Sequence, residues 1–177
     1  MPHAELLTLR APARDDEAGF RSAVQAFRAA EPDWDFAFLF DAERDFSDYV
    51  HRVDAWSRGE GLPAGFVPQT YLIALVGTEV VGRISIRHRL NDFLERVGGH
   101  IGYGVVPGHR CKGYGCAILR QGLHVARDLG LDRVLLTCDD DNEGSRKIIE
   151  ANGGVLESVL EAPDLRRSKR RYWITLR

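Results

Sequence analysis

The sequence predicts an α/β fold whose mixed, mostly antiparallel central sheet is flanked by helices. A strand at residues 101–106 is followed by an amphipathic helix that ends at Gly130, and then by an apolar run at 134–138. A strand, a helix and a second strand in this order form a parallel pair. The other strand-like segments are separated by short turn signals, which favours antiparallel neighbours. We expect about six to seven strands and about four helices.

The N-terminal part predicts one strand and two helices. Apolar residues at 6–9 indicate a strand that ends at the turn Ala11-Pro12. Apolar residues then recur at helical spacing in two stretches. They are Phe20, Ala23, Val24 and Phe27, then Phe46, Tyr49, Val50, Val53 and Trp56. Such stripes could line a substrate cleft, but they more often belong to the core.

A strand-rich part begins after the glycine- and proline-rich loop at 59–65. Two strands on either side of Gly77-Thr78 predict a β-hairpin. In its second strand polar residues alternate with apolar ones, so we expect one buried face and one charged face. The polar positions are Arg83, Ser85 and Arg87.

The C-terminal part predicts one helix and two strands. The helix is expected to begin near Asn142, a good N-cap residue, and to end at Gly153-Gly154. Strands at 155–160 and 171–176, joined across 162–164, are expected to form an antiparallel pair. The basic run 166–171 predicts a solvated turn or an edge strand, because no aromatic residue is interleaved as in a nucleic-acid-binding patch.

The composition narrows the class of protein. With 177 residues, 44% of them hydrophobic, the chain is expected to form a single domain, 1–177. The balance of 24 Lys+Arg against 26 Asp+Glu argues against a general nucleic-acid binder, whose affinity would rest on a broad basic face. We expect no nucleic-acid partner. No apolar run reaches the roughly 18 residues of a membrane helix, and the N-terminus lacks the layout of a signal peptide. We expect a cytoplasmic protein with no membrane partner.

The three cysteines are Cys111, Cys116 and Cys138. They form no CxxC pair, so their spacing supports neither a disulfide framework nor a zinc site. We expect free thiols and no metal.

The most distinctive segment is 105–115, which reads VVPGHRCKGYG. Its glycines allow a ligand to approach the backbone closely, and the helix that follows directs unpaired N–H groups and the positive end of its dipole at the same place. Arg110 and Lys112 add two positive charges. The segment therefore predicts a turn that binds pyrophosphate.

Two common phosphate-binding motifs do not fit this turn. A P-loop needs Gly-Lys followed by Ser or Thr for magnesium, whereas Lys112 is followed by Gly113, Tyr114 and Gly115. A dinucleotide fingerprint needs a third glycine where Ile118 stands.

The remaining pattern is Arg-x-x-Gly-x-Gly at 110–115, with Asn142-x-x-Ser145 after the next strand. With these motifs the region 98–154 resembles the GNAT superfamily of N-acetyltransferases, whose acetyl-CoA pyrophosphate loop reads Arg/Gln-x-x-Gly-x-Gly/Ala. The segments 99–103, 135–139 and 145–154 are most similar to a bacterial group of predicted acetyltransferases of undefined substrate. The resemblance implies the GNAT fold, with a sheet splayed at its parallel pair, and acetyl-CoA as acetyl donor.

The resemblance also implies residues that bind acetyl-CoA. Backbone groups of Val105 and Val106 would hold the pantetheine arm where the strands splay. The turn would wrap the pyrophosphate, mostly through N–H donors, with the residues Arg110, Cys111, Lys112, Gly113, Tyr114 and Gly115. Asn142 would hydrogen-bond near the pantetheine end, or it would only cap its helix; one residue could do both. Ser145 is expected to contact the cofactor as well.

One catalytic position departs from the family pattern. Many members place a tyrosine seven residues after the asparagine to protonate the leaving thiolate, and this chain has Ile149 there. Ser145 lies one helical turn from Asn142 and could take this role directly or through a water. The alternative for Ser145 is an exposed hydroxyl in the first turn.

The general base is also open. Some families use a carboxylate on the strand before the glycine turn, but none stands between Val97 and Val106. His100 and Tyr103 are the titratable candidates, and on a regular strand they point to opposite faces. A structural role for His100 is the alternative. Further polar candidates for the acceptor site are Arg83, His88 and Asn91.

These patterns predict transfer of an acetyl group from acetyl-CoA to a primary amine of a small molecule or a peptide. The missing tyrosine and carboxylate favour one alternative, a non-catalytic acyl-CoA sensor or interaction module with the same fold. An unrelated nucleotide-binding domain is a third reading. The acceptor and the oligomeric state are open, a homodimer being one option.

Overall fold

The computed structural model describes residues 6–161 and 165–176. This part of the chain contains seven strands and four α-helices, as the sequence predicts. In chain order they are β1 Leu7–Arg10, α1 Glu17–Ala30, α2 Phe46–Ser57, β2 Gln69–Val76, β3 Glu79–Arg87, β4 Ile101–Val105, α3 Tyr114–Asp128, β5 Arg133–Asp139, α4 Glu143–Ala151, β6 Val155–Leu160 and β7 Lys169–Thr175. Among the described helices, none has the length and apolar character needed to cross a membrane.

The strands form two antiparallel sheets. The first has the order β1-β2-β3-β4 and the second the order β5-β7-β6. The two sheets meet at one end of β4, where His100 N–H donates to Leu135 O at 2.7 Å. Beyond this bond β4 and β5 form no ladder. The splay predicted between these strands is therefore wide enough to divide the sheet in two and to leave a gap.

A glycine makes the junction between the sheets close. Gly99 has a φ of 64°, and a Cβ at this position would lie 2.5 Å from Leu135 O. Because only glycine adopts this conformation freely and has no Cβ, β4 can approach β5 at this point. The gap between β4 and β5 therefore begins at this close contact and widens along the two strands.

Aromatic residues of α1 and α2 fill the core on one face of the first sheet, whereas α3 covers the other face. Phe20, Phe27, Phe46, Tyr49 and Trp56 are each at most 2% exposed. The aromatic stripes of α1 and α2 therefore belong to the hydrophobic core, which is the more common of the two roles that the sequence allowed.

The charged face of β3 differs from the prediction, because it is not open to solvent. Arg83 is 6% exposed and Ser85 is 3% exposed. The reason is the chain between α1 and α2, which folds over this face and stacks Trp34 on the Arg83 guanidinium at 4.0 Å. Gly104 on β4 leaves the space for the Trp34 ring, since a Cβ there would lie 2.9 Å from it.

The position of the basic run also needs a correction. Residues 169–171 belong to β7, which is the central strand of the second sheet and not an edge strand. Acidic residues beside β7 supply the counter-charges that allow this placement. Lys169 pairs with Asp139, Arg170 with Asp140 at 2.6 Å, and Arg171 with Glu157 at 3.0 Å. The predicted join across 162–164 lies outside the described residues.

Candidate active site

The gap between β4 and β5 exposes unpaired backbone groups of β4. Val106 N–H donates to Val81 O at 2.9 Å, and Arg87 N–H donates to His100 O at 2.7 Å. Because bonded and unbonded residues alternate along an antiparallel pair, the backbone groups of Tyr103 and Val105 point away from β3 and toward the gap. Of the two valines predicted to hold pantetheine, Val105 directs its N–H toward the gap while its carbonyl accepts from Arg110 Nε at 3.2 Å, and the Val106 N–H is already used.

The turn before α3 has the geometry of an anion site. Gly113 is the N-cap of α3 with a φ of 84°, and no side chain caps the first N–H groups of this helix. Side chains cap α2 and α4, whereas α1, like α3, has no side-chain cap. Cys111 has a φ of 60°, an uncommon conformation for a residue other than glycine. The turn therefore leaves several N–H donors and a positive helix end open, which fits a pyrophosphate group.

The basic side chains of this turn point away from its N–H donors. Arg110 pairs with Glu31 of the chain after α1 at 2.6 Å, and its Nε donates to Val105 O at 3.2 Å. Lys112 Nζ donates to Gly108 O at 2.9 Å. Binding by the turn thus depends first on its backbone.

Tyr114 and Gly115, the first residues of α3, contribute to packing as well as offering N–H groups. The Tyr114 side chain lies in the core and is 6% exposed. A Cβ on Gly115 would lie 2.7 Å from Ile148 Cδ1 and 3.6 Å from Val105 Cγ2. Gly115 therefore lets α3 pack closely against α4 beside the gap.

The structure brings together two residues that the sequence predicted separately. The hydroxyl groups of Tyr103 on β4 and Ser145 on α4 lie 2.9 Å apart. Burial raises the pKa of Tyr103, and the Ser145 bond opposes this only in part. Tyr103 is therefore protonated at neutral pH, and the two hydroxyl groups share a hydrogen bond beside the gap.

Asn142 fixes Ser145 in this position. Asn142 Oδ1 accepts the Ser145 N–H at 2.9 Å, as an N-cap does. The Asn142 side-chain N–H groups make no hydrogen bond with the described residues and stay available to a ligand. Ile149 is fully buried in the core, so the tyrosine position of the family is vacant here.

His100 has the geometry of a structural residue. Its Nδ1 accepts the Leu135 N–H at 2.9 Å, so the proton of the neutral ring lies on Nε2 and no lone pair is free. Burial, together with the charges of Arg87 and Arg133, lowers the pKa of His100 to about 4. This arrangement supports the structural alternative over the role of base.

Two of the other polar candidates are used within the fold. His88 Nε2 lies 2.9 Å from Thr70 Oγ1. Asn91 Nδ2 donates to Gly65 O at 2.9 Å, while its Oδ1 accepts the Leu94 N–H at 2.9 Å. The third candidate, Arg83, lies on β3 beside the glycines of β4.

Sequence reasoning missed Asp35, which the chain between α1 and α2 carries to the same face of β4 as Arg83. Arg83 Nη2 donates to Asp35 O at 2.8 Å, and Arg83 Nη1 donates to Gly102 O at 2.9 Å. The Arg83 guanidinium thus bridges the Asp35 backbone and β4 through hydrogen bonds to both. Asp35 lines a surface pocket of about 260 Å³ with Trp34, and partial burial raises the pKa of its carboxyl. No sequence signal marks it, because it lies in an irregular segment about seventy positions before β4.

A sheet split at β4 and β5, with an uncapped helix N-terminus at the mouth of the gap, defines a class of acyltransferase fold. Residues 7–155 match the family described as acetyltransferase (GNAT) domain. The chain belongs to this family and is an acetyl-CoA-dependent acetyltransferase. The non-catalytic sensor and the unrelated nucleotide-binding domain are therefore not retained. No curated protein matches the chain in sequence.

Solved structures agree with this fold over nearly the whole chain. RimL, a ribosomal L7/L12 alpha-N-protein acetyltransferase in complex with coenzyme A, has a TM-score of 0.72 and 17% identity, covering 99% of this chain and 97% of that chain. Mycobacterium smegmatis RimJ in complex with CoA-disulfide has a TM-score of 0.73 and 21% identity, covering 98% and 83%. The microcin C7 self-immunity acetyltransferase MccE in complex with acetyl-CoA and AMP has a TM-score of 0.69 and 18% identity, covering 99% and 97%.

Proposed function

We propose that this chain acts as a single domain that transfers the acetyl group of acetyl-CoA to a primary amine. The observation that carries the proposal is the hydrogen-bonded pair of Tyr103 and Ser145, which borders the gap where backbone groups of β4 are free. Proton donors and free backbone groups at one place are what acetyl transfer from a thioester requires.

Acetyl-CoA, when bound, supplies an activated acetyl thioester. The N–H groups from Gly113 onward would hold its pyrophosphate at the N-terminus of α3. Backbone groups of Val105 would align the pantetheine arm, and the Val105 N–H would polarise the acetyl carbonyl. The free side-chain N–H groups of Asn142 would bind near the pantetheine end.

Ser145 and Tyr103 would protonate the departing sulfur. Ser145 would donate its proton to the sulfur, and Tyr103 would return a proton to Ser145 through their shared hydrogen bond. Tyr103 would then be left as the phenolate, and a proton taken up from solvent would restore its hydroxyl before the next turnover. This relay explains how the chain functions with Ile149 at the usual tyrosine position.

Asp35 would accept the proton of the acceptor ammonium. The Asp35 backbone accepts from Arg83 Nη2 at 2.8 Å, and its carboxyl accepts the Ala37 N–H at 3.2 Å and interacts electrostatically with Arg83. β4 itself carries no carboxylate. A pKa raised by partial burial makes the carboxylate a better base than a solvated aspartate.

A binding measurement followed by a turnover measurement tests the proposal. Acetyl-CoA at millimolar concentration should raise the thermal midpoint, because a ligand that binds only the folded state stabilises it. Release of free thiol should then depend on adding an amine from a panel of small amines and peptides. The absence of a thermal shift, or of amine-dependent thiol release, would contradict the proposal.

A further inference from the structure

Strand β6 is an edge strand whose apolar side chains are exposed on both of its faces. Within residues 6–161 and 165–176, β6 pairs with β7 on one side and with no strand on the other. Val155 is 70% exposed, Leu156 43% and Val159 42%. Edge strands are commonly protected by lysine or proline, and β6, whose sequence is VLESVL, contains neither. Its free backbone edge and exposed apolar side chains therefore suit pairing with a further strand.

A β-bulge determines which side chains of β6 share a face. The pairing of β6 with β7 shifts register between Leu156 and Ser158, so Glu157 is an extra residue in β6. Ser158 lies opposite Arg171 of β7. Glu157 lies on this same face, because its carboxylate accepts from Trp173 Nε1 at 2.9 Å and pairs with Arg171 at 3.0 Å. Glu157 and Ser158 are therefore consecutive residues on one face of β6.

This arrangement makes β6 symmetric about the midpoint between Glu157 and Ser158. Read from either end, the strand has two apolar residues followed by a polar one. The faces follow the same symmetry, with 155, 157, 158 and 160 on the face of Arg171 and Trp173, and 156 and 159 on the other face. A regular strand of this length would lack the symmetry, because its side chains alternate between the faces throughout.

We propose that β6 pairs with β6 of a second copy of this chain around a two-fold axis at this midpoint. Such an axis stands perpendicular to the sheet, so the two strands run antiparallel and each face continues from one copy to the other. Every side chain then meets one of the same polarity on the same face, and the facing positions are 155 with 160, 156 with 159, and 157 with 158. Shifting the register by one residue would bring side chains of opposite faces together. The bulge therefore selects one register of pairing.

The charge and the size of this edge fit a reversible dimer. Glu157 is the one charged residue of the described strand β6, and Arg171 of the same chain already pairs with it. Two copies therefore bring together neutral pairs and not two free carboxylates. A strand of this length spans about 20 Å, which makes a small interface, so the dimer should depend on the protein concentration. β7 and β5 lie between β6 and the gap, so pairing at β6 leaves the gap open.

Analytical ultracentrifugation tests the proposed dimer. The wild type, measured from low micromolar to submillimolar concentration, should show an equilibrium between monomer and dimer. Val159→Lys should weaken the dimer at least about tenfold, because each dimer would bury two lysines among apolar side chains. Leu129→Lys, at the end of α3, is the matched control, since Leu129 is 41% exposed and lies outside β6. Circular dichroism checks that both variants are folded.

Cross-linking tests the register. Around the proposed axis the two copies of residue 158 lie about 6 Å apart on one face, whereas the two copies of residue 155 lie about 18 Å apart. Ser158→Cys should therefore form a disulfide-linked dimer on mild oxidation, and Val155→Cys on the same strand and face should not. The wild type is oxidised in parallel, because the chain has cysteines of its own.

The outcomes of these experiments are distinct. A concentration-dependent dimer that Val159→Lys weakens, with cross-linking through residue 158 alone, would support the proposal. A monomer at every concentration, or a dimer that Val159→Lys leaves unchanged, would overturn it. Absent or equal cross-linking in the two cysteine variants would overturn the register.

Discussion

The hydroxyl groups of Tyr103 and Ser145 lie 2.9 Å apart although the residues are 42 positions apart in the chain. β4 carries one and the first turn of α4 carries the other, on opposite sides of the gap that divides the two sheets. Asn142 orients Ser145, because Asn142 Oδ1 accepts the Ser145 backbone N–H at 2.9 Å. The contact between Tyr103 and Ser145 is thus a product of the splay between β4 and β5.

Removing either hydroxyl of this pair should slow acetyl transfer. We expect Ser145→Ala to lower kcat by about 100-fold and Tyr103→Phe by about tenfold, in line with the contribution of a positioned proton donor. The double variant should lose little more than Ser145→Ala, because the two residues act in one relay. Steady-state kinetics measure kcat, and the acetyl-CoA-induced thermal shift checks that binding is retained. Additive losses would contradict the relay.

Replacing Asp35 should change the pH dependence of the reaction. A carboxylate base is active only when deprotonated, and partial burial raises the pKa of Asp35 above 3.8, so activity should fall as the pH drops through that raised pKa. We expect Asp35→Asn to lower kcat by about 100-fold and to remove this acidic limb from the profile. The exposed neighbour Asp33→Asn serves as the control. An unchanged acidic limb in Asp35→Asn would assign the base elsewhere.

The ion pair between Arg110 and Glu31 should compete with cofactor binding. In the structure Arg110 is held by Glu31 at 2.6 Å and donates to Val105 O, the carbonyl proposed to face the pantetheine arm. Both side chains are about 40% exposed, so the pair contributes up to about 1 kcal/mol. We expect Glu31→Gln to tighten coenzyme A binding two- to fivefold in calorimetry at low salt. Weaker binding would show that Glu31 instead organises the turn.

His100 should make the stability of the fold depend on pH. Its folded pKa is lowered from 6.5 to about 4, so the unfolded chain binds this proton first as the pH falls. The free energy of unfolding should therefore decrease between pH 6.5 and 4, by up to about 3 kcal/mol. Burial also lowers the pKa of His88, which acts in the same direction. The difference between the wild type and His100→Asn isolates His100, because an asparagine oxygen can still accept the Leu135 N–H. Urea unfolding at several pH values measures it.

The left-handed residue at the start of α3 should be sensitive to substitution. Gly113 has a φ of 84°, so Gly113→Ala should lower the free energy of unfolding by about 1 kcal/mol. Gly108→Ala is the matched control in the same turn, since a Cβ there meets no atom within 4 Å and the backbone is not left-handed. Urea denaturation compares the two. Equal stabilities would show that the turn relaxes around position 113.

Local patterns were sufficient to predict the helices and strands and the glycine turn before α3, whose role in cofactor binding stays a prediction. The helices follow from the spacing of apolar residues, and the turn follows from Gly113 and Gly115 between a strand and a helix, because these signals act within a few residues. The sequence could not indicate that β7 is central. The basic residues of β7 pair with Asp139 and Asp140 at the end of β5 and with Glu157 within β6, and these partners lie far from β7 in the sequence or on a separate strand.

By itself, the sequence determined an α/β fold of the GNAT type and the position of the glycine turn proposed to bind the cofactor, since strand, turn and helix are contiguous in the chain. Only the tertiary structure decided which side chains share the gap. It paired Tyr103 with Ser145, bound His100 into the junction of the sheets, and carried Asp35 to the glycine face of β4. The physical reason is that these contacts join segments far apart in sequence, and their geometry depends on the packing of Trp34 and the splay of the two sheets.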